Sequence, residues 1–403
     1  MVDRVPPADT GAGRRLPILA FCAGHMAVDW PHGALWILIP AIGVAMDLSP
    51  SDLGLMVSLT AIGGTLSLIP AGMLSDHTRR RGTLFVSTFV WVAAGYGLAS
   101  MAPDFWSLTL LLAVAGMGTS AWHPLATGTL TQTLPAQRAR VLGIHAMGGT
   151  LAEVFAPVLT GALLVHVDWR QGLFLSVVPA VALGIVFFAV RGRLTVPVES
   201  GARMVDLKDL AQRWLSRAGL LLVAMISVYN MAIMAMLAMA TLFIVNDLGI
   251  SEFWAGIAFA AMILAGAVLQ PVMGQLSDTL GRRKIFAFSL LAAAPLGFLM
   301  PLVEAPWLAL AFLIIMIGAF YGVRSVVLAS ALDFAGKREG TTLALAFALM
   351  DGVGALGAFL GGYVGDLDLA YAFSLASAFA VVAAILAAAS SLVSPRTRTG
   401  PAT

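Results

Sequence analysis

Seven ionisable groups capable of proton or ligand chemistry stand inside stretches otherwise too apolar to hold a charge. They are His25, Asp29, His32, His123, His145, Glu153 and Asp351, and they share those stretches with Arg324. Ionisable side chains in hydrocarbon are costly, so each needs a reason to be there. His25, Asp29 and His32 follow one another at i, i+4 and i+7, which puts all three on one helical face. Counting about 1.5 Å per residue from Pro17 places Asp29 roughly 18 Å deep, near mid-membrane. Pro31 removes an amide donor and frees the carbonyl of Ala27, which adds a polar notch to that face. His145, Gly149 and Glu153 recur at i, i+4 and i+8, and Gly148 with Gly149 permits close backbone approach. His123 precedes Pro124, which frees the carbonyl of Ser120.

Asp29 with a histidine partner, Glu153 and His123 are therefore the candidate proton-coupling groups, with His25 as the partner of Asp29. The bland alternative is a set of satisfied structural contacts: a His–Asp pair holding its helix in place and a neutral Glu bonded to backbone. In the second half Arg324 and Asp351 lie about 12–14 Å from the same ends of successive apolar runs. Opposite charges at equal depth predict an ion pair, either a structural bridge or an arginine that binds an anionic substrate and is released by Asp351. His32, Trp122, His145, Asn230, Gln270, Arg324 and Asp351 are the expected substrate-cavity residues, with Tyr229 a further hydrogen-bonding group.

Other chemistries find little support. No HxxxH or Cys–His pair occurs within a span, and His25 and His32 are two turns apart, too far for one zinc without a third element. No metal is expected. The chain shows no P-loop, GxGxxG or nucleophile elbow, so no enzyme and no cofactor are expected either.

The elements that position these residues follow from composition. Of 403 residues 60% are hydrophobic and 11% charged, and the mean hydropathy is +0.93. So few charges cannot cover so much apolar surface in water. A single cysteine, Cys22, excludes a disulfide framework, and a net charge of +2 is too small to argue for nucleic acid. A helix crossing about 30 Å of hydrocarbon needs roughly 20 apolar residues. Twelve such runs are found, at 17–46, 53–75, 83–101, 107–130, 141–167, 173–190, 218–245, 254–276, 285–303, 307–332, 342–365 and 369–393. The tenth is the weakest, because Arg324 interrupts it. The first follows Arg14 and Arg15 but is too long for a cleavable signal, so it reads as a permanent span.

Residues 191–217 form a charged linker, with a short amphipathic surface helix expected over Val205–Leu215. The expected domains are residues 1–190, the linker 191–217, and residues 218–403. If the N-terminus is cytoplasmic, 21 of the 23 Lys and Arg fall in cytoplasmic segments, leaving only Arg170 outside and Arg324 within a span. Both termini are thus expected in the cytoplasm, and the chain in a bacterial plasma (inner) membrane.

Two loops repeat. Gly72-Met73-Leu74-Ser75-Asp76-His77-Thr78-Arg79-Arg80-Arg81 matches Gly274-Gln275-Leu276-Ser277-Asp278-Thr279-Leu280-Gly281-Arg282-Arg283-Lys284, each after the second span of its own half. A six-span repeat in one orientation predicts two bundles about an axis along the membrane normal. The pattern G-x-L-S-D-x-x-G-R-R-K resembles the signature loop of the major facilitator superfamily, with Arg79 in the first copy where the family usually has glycine. That resemblance implies an all-α membrane protein, twelve transmembrane helices in two pseudo-symmetric six-helix bundles. It also implies that the loops around Gly72, Asp76, Arg80 and Gly274, Asp278, Gly281, Arg282 latch one side during gating.

A narrower set, His25-Met26-Ala27-Val28-Asp29, Ala121-Trp122-His123-Pro124 and Gly148-Gly149 followed by Ala156-Pro157, is similar to fosmidomycin-resistance-type efflux members. Ala152 and Ala156 stand where that group's antiporter pattern has glycines, and Trp122-His123 occupies the neighbourhood of a span-four arginine common in proton-coupled members. The expected function is secondary active, proton-coupled efflux of a small organic molecule by a monomer in the lipid bilayer. The rivals are uptake or facilitated diffusion of a metabolite or organic anion, and a non-transporting receptor or scaffold.

Overall fold

Short polar sequences write the helix starts. Ser49 Oγ accepts from the Asp52 amide at 3.1 Å while the Asp52 carboxylate accepts from the Ser49 amide at 3.0 Å, a reciprocal cap. Asp104 with Ser107 and Asp168 with Gln171 repeat the device. Between such caps the chain is continuously apolar, and backbone groups in hydrocarbon can be satisfied only within a helix.

The computed structural model describes residues 12–134, 137–194, 212, 214–335 and 345–393. Among them, twelve helices are long and apolar enough to cross a membrane. Spans 1 to 6 are Ile18–Met46, Pro50–Ser75, Arg81–Ala99, Phe105–Thr133, Arg140–Leu163 and Trp169–Arg193. Spans 7 to 12 are Arg217–Asp247, Glu252–Leu280, Arg282–Leu302, Pro306–Phe334, Leu345–Gly365 and Ala370–Ala389. Each coincides with one of the apolar runs. The tenth is one span despite Arg324; its helix breaks only at Val323, between Gly322 and Arg324. Most of the linker, including most of the surface helix expected over Val205–Leu215, lies outside the described residues. Trp214, at its end, is buried with its ring edge-on to Phe334 of span 10.

Packing follows the repeat. In the first half span 1 runs along span 5, and span 2 along span 4; in the second, span 7 runs along span 11, and span 8 along span 10. The halves meet through span 5 on span 8 and span 2 on span 11, which are mates under the same two-fold relation. Apolar burial does not drive helices together in lipid, so contact depends on close approach and polar bonds. A Cβ on Gly54 would come 2.4 Å from the Ala358 carbonyl, and one on Gly161 2.5 Å from the Glu252 carbonyl. Ser58 Oγ donates to the Ala355 carbonyl at 2.5 Å, and the Ser51 amide donates to Asp366 at 2.9 Å.

These inter-half contacts gather at the far end, opposite the end where span 1 begins and span 12 finishes. Exposed Trp106, Trp254 and Trp307, each in the first turn of its span, ring that far end as an interfacial aromatic belt. The two halves are thus in direct contact at the far end.

Candidate functional site

Two polar centres occupy the middle of the bundle. The first belongs to the first half alone. Span 1 brings His25 Nε2 to 3.0 Å from Asp29 Oδ2, the i, i+4 contact its face allows. Span 4 adds His123, whose Nε2 lies 3.8 Å from Asp29 Oδ1. Span 5 adds His145, its ring stacked on His25 with centroids 4.3 Å apart. The His25 Nδ1–H donates to the His145 carbonyl at 2.8 Å, because a carbonyl can only accept. The two glycines of span 5 make this closeness possible. A Cβ on Gly148 would lie 2.1 Å from the Cys22 carbonyl, and one on Gly149 would lie 2.8 Å from His25 Nε2 and 3.2 Å from Asp29 Oδ2.

The second centre crosses between the halves. The Tyr321 hydroxyl of span 10 donates to Glu153 Oε2 of span 5 at 2.9 Å and accepts from Arg324 at 3.0 Å. Tyr321 is seated on Gly266 of span 8, where a Cβ would approach its own Cβ to 2.7 Å. The Arg324 guanidinium also lies 5.4 Å from the Tyr321 ring centroid and 5.9 Å from that of Phe347.

The expected Arg324–Asp351 ion pair is corrected: no nitrogen–oxygen contact within 4.0 Å joins them, although each feels the other's charge. Arg324 turns along its own helix to Tyr321 one turn back. Asp351 sits in a π-helical turn over Leu349–Val353, which shifts its register from that of a regular helix. Asn230 donates to the Met350 carbonyl inside that turn, so it supports the bulge rather than offering its amide to a ligand. Tyr229 likewise donates its hydroxyl to the Phe320 carbonyl at 2.8 Å.

Trp122 is also placed differently. It is fully buried among Phe21, Phe85, Phe89 and Phe187 and so exposes no surface to a substrate. His145 is buried, stacked on His25. His32 is half-buried with its ring edge-on to Trp36, which stacks on Phe259 of span 8. Gln270 contributes its backbone carbonyl to Ser325 at 3.0 Å.

The loops diverge in detail. Gly281 turns at φ 98° and ends span 8 in one residue, so Arg282 opens span 9 and bonds both Asp278, at 2.9 Å, and Asp333 of span 10. Gly72 and Gly274 approach Pro124 and Ser325 of the equivalent spans. With Arg79 in the glycine position, the first loop instead leaves its helix after His77 and runs extended through Thr78. Span 3 then starts one residue later relative to the repeat. Arg80 is exposed, and Arg81 is the buried residue that bonds Thr129 at 3.2 Å and Gln132 at 2.9 Å. The side chain of Asp76 lies outside the described residues.

Sequence reasoning missed Tyr321, Arg81 and Asp333. Tyr321 sits at i, i+3 to Arg324, a spacing that pairs side chains on a helix and was the available signal.

Known proteins share the family and the fold. A Haemophilus influenzae protein named for metabolite transport is 26% identical over 369 residues, covering 86% of this chain and 88% of its own. The fosmidomycin resistance protein of Escherichia coli K12 is 22% identical over 366 residues, 87% of each chain. A bacterial homolog of the human lysosomal transporter Spinster, solved inward-facing and unoccupied, superposes with a TM-score of 0.83 at 16% identity, covering 98% of this chain and all of that one. The family model for the Major Facilitator Superfamily matches residues 21–238 and 220–403, so this integral membrane chain belongs to that superfamily of transporters and is not an enzyme.

Proposed function

We propose that the chain exports a small organic molecule in exchange for protons, with Glu153 as the proton carrier at the junction of its halves. The carrying observation is the Glu153–Tyr321–Arg324 connection. A carboxylate of one half is tied through one hydroxyl to a fixed cation of the other. Protonating Glu153 removes the charge that this connection offsets and so loosens one half from the other. The groups acting on Glu153 are Arg324 and Tyr321 from span 10 and Asp29 and His25 from span 1. A proton on Glu153 and a substrate group on Arg324 thereby act on one another through a single oxygen, which gives two states of different substrate affinity.

Export is supported by the likeness to the fosmidomycin resistance protein over most of both chains. The basic residues gathered on the segments at the terminal end support a cytoplasmic location for that end and an outside location for the far end, in a bacterial inner membrane. On that orientation the contacts at the far end support reading this as the inward-facing state. A monomer with 1–190 and 218–403 as its moving bodies suffices. Arg324 favours one second reading, facilitated uptake of an organic anion.

The test is purified protein in liposomes with an imposed pH gradient and a compound panel that includes phosphonate antibiotics. Substrate-dependent proton movement, abolished by Glu153→Gln, supports exchange. Substrate flux that ignores the gradient supports the facilitator instead.

A further inference from the structure

The proton carrier above leaves the histidine centre unexplained. His25 Nδ1–H donates to the His145 carbonyl at 2.8 Å, and His145 Nδ1–H donates to the Phe21 carbonyl at 3.3 Å. Both rings therefore carry hydrogen on Nδ1, and in the neutral form each presents Nε2 as a lone pair. A backbone carbonyl fixing the far ring nitrogen in this way is the arrangement found behind metal-bound histidines. The consequence at His25 is specific. A lone pair and a carboxylate oxygen, two acceptors, face each other at 3.0 Å, and that contact requires positive charge between them.

Three further facts point to a cation larger than a proton. His123 Nε2 stands 3.8 Å from the other Asp29 oxygen, so each carboxylate oxygen faces one imidazole. A tetrahedral ion at ordinary bond lengths sets its ligand atoms about 3.3 Å apart, between the two distances seen. Asp29 Oδ1 and His145 Nε2 are buried and make no hydrogen bond. One ligand atom from each of His25, His123 and His145 falls within 4.8 Å of the others.

We propose that His25, His123 and Asp29 bind a late first-row divalent metal ion in the cavity wall, with His145 as a fourth donor. His145 offers a ligand atom within 4.8 Å of those of His25 and His123, and its buried Nε2 makes no hydrogen bond, so it is the nearest further donor. Span 4 is the third element that spacing on span 1 alone lacked. His123, with 37% of its side chain exposed, gives the ion a way in. Imidazole with one carboxylate suits zinc, cobalt or nickel and disfavours the harder magnesium and calcium. The site is separate from Glu153 and independent of the direction of transport.

The experiment is titration of tag-free, full-length protein in detergent with Co2+, read by visible absorption. One equivalent is expected to develop bands of nitrogen- and oxygen-bound cobalt, displaced by Zn2+ and not by Mg2+ or Ca2+. His25→Ala, His123→Ala and Asp29→Asn are each expected to weaken binding by about 10-fold or more, and His166→Ala to leave it unchanged. On the wild-type protein, Zn2+ is expected to protect His123, and not exposed His77 or His166, from diethyl pyrocarbonate as read by mass spectrometry. Absence of cobalt bands in the wild type, bands that survive both His25→Ala and His123→Ala, or unprotected His123 would overturn the assignment.

Discussion

Tyr321→Phe removes one oxygen and leaves the ring in place. That oxygen donates to Glu153 at 2.9 Å and accepts from Arg324 at 3.0 Å, so a single deletion leaves a carboxylate and a guanidinium each short of a partner. Hydrogen bonds to charged groups contribute about 1.5–3 kcal/mol each. A double-mutant cycle of Glu153→Ala and Tyr321→Phe should therefore show coupling of about 1.5–3 kcal/mol in unfolding free energy in detergent. At about 1.4 kcal/mol per tenfold, the same loss changes the population of the state that makes the contact by roughly 10- to 100-fold. Glu153→Gln keeps an oxygen that can accept from Tyr321 but carries no proton. In liposomes it should let substrate equilibrate without following a pH gradient, whereas Tyr321→Phe should keep gradient dependence at about tenfold lower flux. Additivity within about 0.5 kcal/mol, together with gradient-driven transport by Glu153→Gln, would refute the coupling role.

Gly148→Ala and Gly149→Ala should each destabilise the protein by about 1–3 kcal/mol, since the added methyl meets the Cys22 carbonyl or His25, as followed by thermal unfolding in detergent. Gly143→Ala on the same span meets nothing within 4 Å and should be neutral or stabilising by up to about 1 kcal/mol in the same assay. Arg81→Ala should cost about 1–3 kcal/mol through lost bonds to Thr129 and Gln132, while Arg80→Ala should stay within about 0.5 kcal/mol. Reporter fusions at both ends should be active on the cytoplasmic side; activity on opposite sides would contradict the charge-based orientation.

The spans were legible because hydrocarbon imposes one requirement on every crossing segment, a long apolar helix, and that requirement shows in each run independently. The His25–Asp29 contact was legible for a similar reason: both residues ride one helix four apart. The convergence of His123 and His145 on that pair was not, because it depends on how spans 4 and 5 rotate against span 1. Only the glycines of span 5 hinted at it. Arg324 and Asp351 misled because equal depth on neighbouring runs says nothing about azimuth, and a π-helical turn shifts azimuth without any mark in composition. Trp122 misled because its neighbour His123 faces the cavity, and adjacent helical residues point about 100° apart.

The two signature loops show how one residue alters a repeated device. Asp76 and Asp278 stand 202 residues apart, whereas the contacting pairs Arg81–Gln132 and Arg282–Asp333 are each 51 residues apart and correspond at an offset of 201. The first loop therefore carries one more residue between its aspartate and the next helix. A glycine can take φ 98°, as Gly281 does, and reverse the chain within one residue; arginine at position 79 cannot do so without strain. The extra residue moves the anchoring arginine from 80 to 81 and into a fully buried setting, with Thr129 and Gln132 among its partners. The second loop keeps its arginine between two exposed carboxylates, Asp278 and Asp333. Exposed ion pairs are screened by salt and buried hydrogen bonds are not. If both loops fasten the terminal side during transport, the exposed pairs of the second should loosen with rising ionic strength more than the buried arginine of the first. Cross-linking at the two loops across a salt series would then give two different profiles from what the sequence presents as a single motif.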